Sequence, residues 1–215
     1  ILADRKEGQW YVEPFCGGCN MIDKVDGNRV GCDSNSNVIE AMVAIRDCVC
    51  DLPQDNKQFT EADYKKLRAG DYKYKGYAGF AFSYSGKWMG GWCRDGLSKR
   101  DYISEAYKNA LNQSPLLRGV QLVNLSYLNL TFNQPCIIYC DPPYKGTTKY
   151  KDKFNHTEFW EWCRQMSKQG HSVFISEYNA PDDFECIWQK EQVSSLTKDT
   201  GSKKAIEKLF KYAPN

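Results

Sequence analysis

Four consecutive residues, Asp141-Pro142-Pro143-Tyr144, carry the most concentrated chemistry in this 215-residue sequence. They follow Cys136-Ile137-Ile138-Tyr139-Cys140, an apolar run of the kind that forms a central parallel strand. Asp141 therefore falls at the carboxyl end of a strand, the place where open α/β sheets bind their ligands. Two prolines in succession fix φ and remove two backbone donors, leaving a rigid loop whose carbonyls can only accept. Asp141 adds a charged acceptor and Tyr144 a flat ring. The inventory holds no thiol nucleophile, no histidine base and no metal cage. It suits gripping a planar base by its amino group while stacking on its face.

A second stretch, Phe15-Cys16-Gly17-Gly18-Cys19, can be parsed in two ways. Cys16 and Cys19 have the C-x-x-C spacing of a redox pair or half a zinc site. No second C-x-x-C exists: Cys48 and Cys50 are spaced C-x-C, and His156 and His171 stand at no ligand spacing from a cysteine pair. No metal is expected. A thioredoxin-like pair is disfavoured too, because no long helical pattern follows the glycines. The other parsing is a glycine-rich loop between elements. Gln9–Glu13 reads as a short strand and residues 20–25 as about a turn and a half of helix. Arg29–Asp33 reads as a second strand ending on an acid. Asn35 then caps a helix whose Val38, Ile39, Met42, Val43 and Ile45 form one apolar face. Strand, glycine loop, helix and acid-tipped strand begin a doubly wound α/β fold. In such a fold the loop amides face a cofactor and the acid meets ribose hydroxyls.

These residues need elements to hold them, and the rest of the chain supplies an α/β rhythm. A helix is expected from Tyr102 to about Asn112, strands at Gln121–Asn124 and Ser172–Ile175, and a helix face at Phe159, Trp162, Cys163 and Met166. Glu185–Trp188 and Lys208–Phe210 could close the sheet as a hairpin. Between them, residues 56–118 differ in composition. They hold twelve Lys/Arg against six Asp/Glu, a local charge of +6, whereas the remainder of the chain is −4. Tyr72, Tyr74, Tyr77, Phe80, Phe82, Tyr84, Trp88 and Trp92 thread through this stretch, and Gly76, Gly79, Gly86, Gly90 and Gly91 are expected to break any long element there. Such a mixture suits a phosphate-binding, base-reading surface; a second small core with a solvated basic face fits the same residues. The opening ILADRKEGQW has no apolar run of signal-peptide length, and no stretch could span a membrane. The ten cysteines are accordingly expected to be reduced, in a cytoplasmic compartment, and to serve mainly as small hydrophobes.

The Asp-Pro-Pro-Tyr behind an apolar strand, downstream of Glu13-Pro14-Phe15-Cys16-Gly17-Gly18, resembles the signature pair of the amino-group DNA methyltransferases. In detail the sequence is similar to the Dam-type adenine-specific enzymes of the α group, particularly short phage and prophage members. YVEPFCGGCNM, GCDSN, GFAFSYSGKWMGGW, IIYCDPPYKGTTKY, VFISEYNAP and GSKKAIEKLF carry the likeness along nearly the whole chain. It implies a Rossmann-like methyltransferase sheet, mostly parallel, with an antiparallel C-terminal hairpin. Residues 1–55 and 119–215 would form the catalytic domain and 56–118 an inserted target-recognition region. It implies S-adenosylmethionine as cofactor, double-stranded DNA as partner, a monomer, and a site in a bacterial or phage-infected cytoplasm.

The same resemblance assigns residues. Asp141, Pro142, Pro143 and Tyr144 would be catalytic. Glu13, Pro14, Phe15, Gly17, Gly18, Asp33, Ser126, Tyr127 and Asp141 would hold the cofactor, with Cys19 standing where a glycine is frequent and Ser126-Tyr127 where the family usually has Asp-Phe. Lys87, Trp88, Arg94, Lys99, Arg100, Tyr144 and Lys145 would meet DNA. Family members place a glycine-lysine segment ahead of the first strand, and its lysine approaches the cofactor's carboxylate. The present sequence shows none before that strand, so weak cofactor binding is expected unless Lys203 or Lys204 supplies the charge. Asp at 141 argues against glutamine or guanine methylation, where Asn is usual, and against cytosine amino-methylation, where Ser is. Pro135-Cys136 superficially fits cytosine C5 chemistry, but Cys136 opens an apolar strand and reads as a core thiol. The alternative from another class is a DNA-binding relative that has lost catalysis.

Overall fold

The computed structural model describes residues 1–3, 5–94, 100–144, 154–193 and 204–214. The chain divides into two compact units, residues 16–126 and residues 1–15 with 127–215. In the first lie strands β2 (Arg29–Asp33) and β3 (Val120–Asn124), with helices α1 (Ser36–Cys48), α2 (Glu61–Lys66), α3 (Lys75–Ala81) and α4 (Tyr102–Gln113). In the second lie strands β1 (Tyr11–Glu13), β4 (Ile137–Cys140), β5 (Ser172–Glu177), β6 (Phe184–Val193) and β7 (Lys204–Tyr212), with helix α5 (His156–Lys168). The seven strands form a sheet in the order β3-β2-β1-β4-β5-β7-β6. β2 pairs with β3, β1 with β4 and β4 with β5, all parallel; β7 runs antiparallel to both β5 and β6. This is the doubly wound, mostly parallel Rossmann-like sheet with an antiparallel C-terminal hairpin that the sequence implies. The hairpin's connection, residues 194–203, lies outside the described residues.

Local chemistry explains the boundaries. The Asn35 side chain accepts the Asn37 N–H at 3.1 Å and so caps α1, satisfying a donor that the first turn leaves open. Ile39, Met42 and Ile45 of α1 are buried, and Val38 and Val43 half-buried. α5 starts on Asn155, whose side chain accepts the Glu158 N–H, and buries Phe159, Trp162, Cys163 and Met166. All four residues of β4 are buried, as the apolar run requires. Fully burying a side chain such as Ile138 or Phe159 contributes about 1.5–3 kcal/mol. Residues 20–25 contain only a 3₁₀ turn, Ile22–Lys24, because Lys24 and Val25 bond back three residues and not four. Among the described residues no helix is long and apolar enough to cross a membrane.

Gly86, Gly90 and Gly91 lie outside the α-helices, as breakers do, but two other glycines of the basic stretch act differently. Gly76 and Gly79 lie inside α3, and their missing side chains permit close packing. A Cβ on Gly76 would stand 2.5 Å from the Asn37 carbonyl oxygen and 3.0 Å from the Ala41 nitrogen, both backbone atoms of α1. A Cβ on Gly79 would stand 2.3 Å from the Trp88 ring. Backbone cannot yield as a flexible side chain can, so α1 and α3 meet only because residue 76 is glycine. Gly76→Ala should therefore destabilise the protein by about 1–3 kcal/mol, the usual cost of overpacking, and lower the melting temperature by several degrees. Thermal unfolding followed by circular dichroism measures this; an unchanged midpoint would mean the two helices are not held that close.

Candidate active site

The glycine loop leaves its strand in a conformation that few residues accept. Gly17 has φ +44° and Cys19 φ +58°, so both lie in the left-handed region. At Cys19 a side chain pays about 1–2 kcal/mol for this backbone, which is why glycine is common at such positions. The loop is pinned by backbone bonds, Cys16 N–H to the Cys32 carbonyl at 2.8 Å and Cys19 N–H to the Cys16 carbonyl at 2.7 Å. Gln113 at the end of α4 donates to the Gly18 carbonyl at 2.8 Å. Gly31 of β2 lets the strand pass close beneath, since a Cβ there would stand 3.3 Å from that of Cys16. Cys16 and Cys19 are both buried.

Asp33, at the tip of β2, turns toward this loop. Its Oδ2 accepts the Gly17 N–H at 3.3 Å and its Oδ1 the Asn35 N–H at 2.9 Å. Burial raises its pKa, and the two backbone donors pull it back. A carboxylate offers about four lone-pair sites, so two remain for a ligand's hydroxyl pair. Gly17, Gly18 and Asp33, predicted from different parts of the sequence, thus meet within one unit. The open space above Gly17, where a Cβ would touch nothing, leaves room for a ligand to reach the loop backbone. Ser126, predicted beside them, is half-buried just past β3.

The other unit holds the remaining chemistry. The buried β4 ends at Cys140, fully enclosed, and the next residue, Asp141, is exposed. Pro142 is buried behind it and Pro143 and Tyr144 are half-buried. The Tyr144 hydroxyl hydrogen-bonds Ser176 of β5, and its ring meets Tyr178 edge-on with centroids 4.8 Å apart. Ser176 in turn donates to Glu207 of β7 at 3.4 Å. Glu13 is buried and accepts the Tyr11 hydroxyl at 2.9 Å. Phe15 packs on Tyr127, centroids 5.1 Å apart, and both rings pack on Phe154 and Phe159. Tyr127 is buried and its hydroxyl is pushed up to about 12 by burial and by the Glu158 carboxylate.

The electrostatics around Asp141 are acidic. Crowding by protein raises its pKa, the Tyr144 hydroxyl opposes this, and the carboxylates of Glu207 and Glu177 add to it. Water reaches the exposed carboxylate and weakens the first effect, but the two neighbouring carboxylates act in the same sense, and the direction is upward. Burial, then Asp141, also pushes the Tyr144 hydroxyl up. The Cys140 thiol is held well above its ordinary value by burial and by the neighbouring Cys163 thiol, so the sulfur beside Asp141 is inert. Cys136 is likewise a core thiol: it is buried, its Sγ donates to the Gln134 carbonyl at 3.1 Å, and burial raises its pKa.

Glu177, Ser176, Tyr178 and Glu207 were not anticipated as site residues. Ser176, Glu177 and Tyr178 lie in the family-like stretch VFISEYNAP and Glu207 in GSKKAIEKLF, so those stretches were the available signal; β7 pairing with β5 brings Glu207 to the site. Of the predicted DNA contacts, Lys87 is exposed beside a turn in which Ser85 and Met89 have φ +57° and +48°. Trp88 packs on Phe80, centroids 5.0 Å apart. Arg94 pairs with Glu61, and Arg100 with Glu105. Lys99, Lys145 and Lys203 lie outside the described residues, as does the side chain of Lys204. A cavity of about 380 Å³ sits elsewhere, lined by His156, Trp160, Arg164 and Asn179 among others, and none of the predicted site residues lines it.

No family model matches the sequence, and no curated protein matches it. Among solved structures, the chain is similar to a Haemophilus influenzae protein, HI0767, provisionally described as a methylase. The identity is 11%, the TM-score 0.37, and the likeness covers 99% of this chain and 91% of that one. A second, SMU.472, is provisionally described as a methyltransferase complexed with SAH; identity is 9% and TM-score 0.37, over all of this chain and 50% of the other. Likenesses of this size carry no argument about the site, which stands on its own residues.

A carboxyl whose pKa rises on folding favours the fold only while it is protonated, and that contribution is lost as pH rises past its unfolded value near 3.9. Asp141→Asn should therefore raise the melting temperature at neutral pH, and the gain should vanish in acid. Glu207→Gln should lower the pKa of Asp141, read by carboxyl carbon NMR titration. A destabilised Asn variant at pH 7, or an Asp141 titration indifferent to Glu207, would contradict this account of the cluster.

Proposed function

We propose that the protein is a site-specific DNA methyltransferase that moves a methyl group from S-adenosylmethionine to the N6 amine of adenine in double-stranded DNA. The observation that carries this reading is Asp141: an exposed carboxylate at the end of a buried central strand, held on a proline pair, with Glu207 and Glu177 acting on it. The ordered motifs of the sequence support the same assignment.

The residues fit the cofactor. Asp33 has acceptor capacity for ribose hydroxyls, and the open space over Gly17 leaves room for the rest of the molecule. Glu13, Pro14, Phe15, Ser126 and Tyr127 complete the proposed set. S-adenosylmethionine, when bound, supplies an electrophilic methyl group on a sulfonium. Everything else falls to the protein. An adenine amine is a weak nucleophile because its lone pair is delocalised into the ring. Asp141 and the Pro142 carbonyl would accept its two hydrogens and localise that lone pair on nitrogen. Asp141 would not deprotonate the neutral amine, which is far too weak an acid even for a carboxylate of raised pKa. It would stabilise positive charge as it develops on nitrogen, helped by Glu207 and Glu177, and after transfer, with the leaving group a neutral thioether, it would take the proton that the methylated nitrogen sheds. The target base must leave the duplex to reach Asp141, at a cost of a few kcal/mol. Stacking on Tyr144, whose ring is propped by Tyr178 and whose hydroxyl is tied to Ser176, would return about 1–3 kcal/mol. Residues 56–118, basic and aromatic, are the proposed target-recognition region.

DNA treated with the protein and S-adenosylmethionine, then hydrolysed to nucleosides, should contain N6-methyladenine and no methylcytosine. Asp141→Ala should lower the rate by about 10² or more. Methylcytosine as the main product would end this reading, and an Ala variant of nearly normal rate would remove Asp141 from the mechanism.

A further inference from the structure

The basic stretch contains a small cleft of about 120 Å³ lined by Asn56, Trp92, Cys93, Arg94, Arg100, Tyr102 and Ile103. It is well below the ~300 Å³ at which pockets begin to take drug-sized molecules, and suits a small polar group. Two guanidiniums stand on its wall, both turned to solvent, with side chains 67% and 53% exposed. Neither faces the solvent alone. Arg94 is paired with Glu61 of α2. Arg100 donates two parallel bonds to Glu105 of α4, at 2.9 and 2.6 Å, and lies over the Tyr102 ring at 4.9 Å. A third acid nearby, Asp101, is already committed: it caps α4 through the Ser104 N–H at 2.9 Å and accepts the Asn56 N–H at 3.1 Å.

The two pairs share one feature. Each glutamate has a second cation on its own helix. Glu61 also bonds Lys65 at 3.0 Å, and Glu105 feels the charge of Lys108 one turn further along α4. Losing an arginine would therefore leave neither carboxylate without a cation. Exposed ion pairs of this kind hold weakly, whereas a phosphate offers the guanidinium fork the same bidentate geometry, and counterion release adds to the exchange.

We propose that Arg94 and Arg100 form a two-pronged clamp for the DNA sugar-phosphate backbone, and that Glu61 and Glu105 occupy it in the free protein as competing anions. The arginines exchange glutamate for phosphate on binding, and Lys65 and Lys108 take over the glutamates. The proposal rests on the DNA reading above and adds a device to it, a built-in competitor that weakens binding to any duplex.

Fluorescence anisotropy of the full chain with a labelled mixed-sequence duplex, titrated with KCl, tests this. Arg94→Gln and Arg100→Gln should each weaken binding severalfold and reduce the salt slope by about one. Glu61→Gln and Glu105→Gln should each tighten binding about threefold, and clearly more than the charge-matched control Asp71→Asn, an exposed acid of the same basic stretch that does not line the cleft. Melting curves keep the comparison honest, and Arg100→Lys, which keeps the charge and loses the fork, should retain the slope while binding less tightly than the parent. Glutamine variants of the two acids that bind no tighter would overturn the proposal, as would arginine variants that bind like the parent. If the parent methylates adenine but these variants shift nothing, the clamp alone is wrong; if the parent binds no duplex, the DNA reading falls with it.

Discussion

The change from burial to exposure across a single peptide bond, from Cys140 to Asp141, governs the rest of its unit. A strand as short as β4 reaches Asp141 in a fixed position only because all four of its residues are locked in the core and flanked by β1 and β5 in parallel register. Pro142 and Pro143 then prevent the chain from relaxing. The result is a carboxylate held at the surface among other carboxylates, an arrangement that costs stability and that no packing requirement explains. A group stabilising nascent positive charge needs such surroundings. Among the described residues the charged groups that act on Asp141 are Glu207 and Glu177, whereas Asp183 is bonded by Arg164 at 2.8 Å.

The unit of residues 16–126 applies a different constraint. Its loop and acid are brought together by hydrogen bonds, the Gly17 N–H to the Asp33 carboxylate and the Cys16 N–H to the Cys32 carbonyl. That is how a loop can stay open to a ligand while remaining ordered. Cys19 shows the tolerance of the arrangement. It bears a left-handed backbone with a side chain attached, and the cost is offset by complete burial of the thiol in the core. The cysteine pair that first suggests metal or redox chemistry is thus explained as loop geometry and core filling.

Much of this was readable from residue order. β2, β3, β4, β5 and the α1, α4 and α5 helices fall where periodicity and caps put them, because each is an autonomous local pattern with its own stop signal. Sequence reasoning failed where the determinant was a contact between distant segments. The glycines at 76 and 79 look like helix breakers, yet they are the reason α3 can lie against α1 and Trp88. Glu207 looks like one charge in a lysine-rich strand until antiparallel pairing with β5 carries it to Ser176. Arg94 looks like a free cation, and only the fold reveals Glu61, 33 residues away, that holds it. In each case the missing information was a tertiary neighbour, which no single-sequence pattern encodes.

The central claim is that the exocyclic amine of adenine is what the Asp141 loop acts on. The most direct measurement uses radiolabelled S-adenosylmethionine and two duplexes of one sequence that differ only at adenine, replaced in the second by purine without its 6-amino group. The account predicts label incorporated into the first duplex and none into the second. Equal labelling of the two, or none in either under conditions where the protein is folded and binds the cofactor, would contradict it.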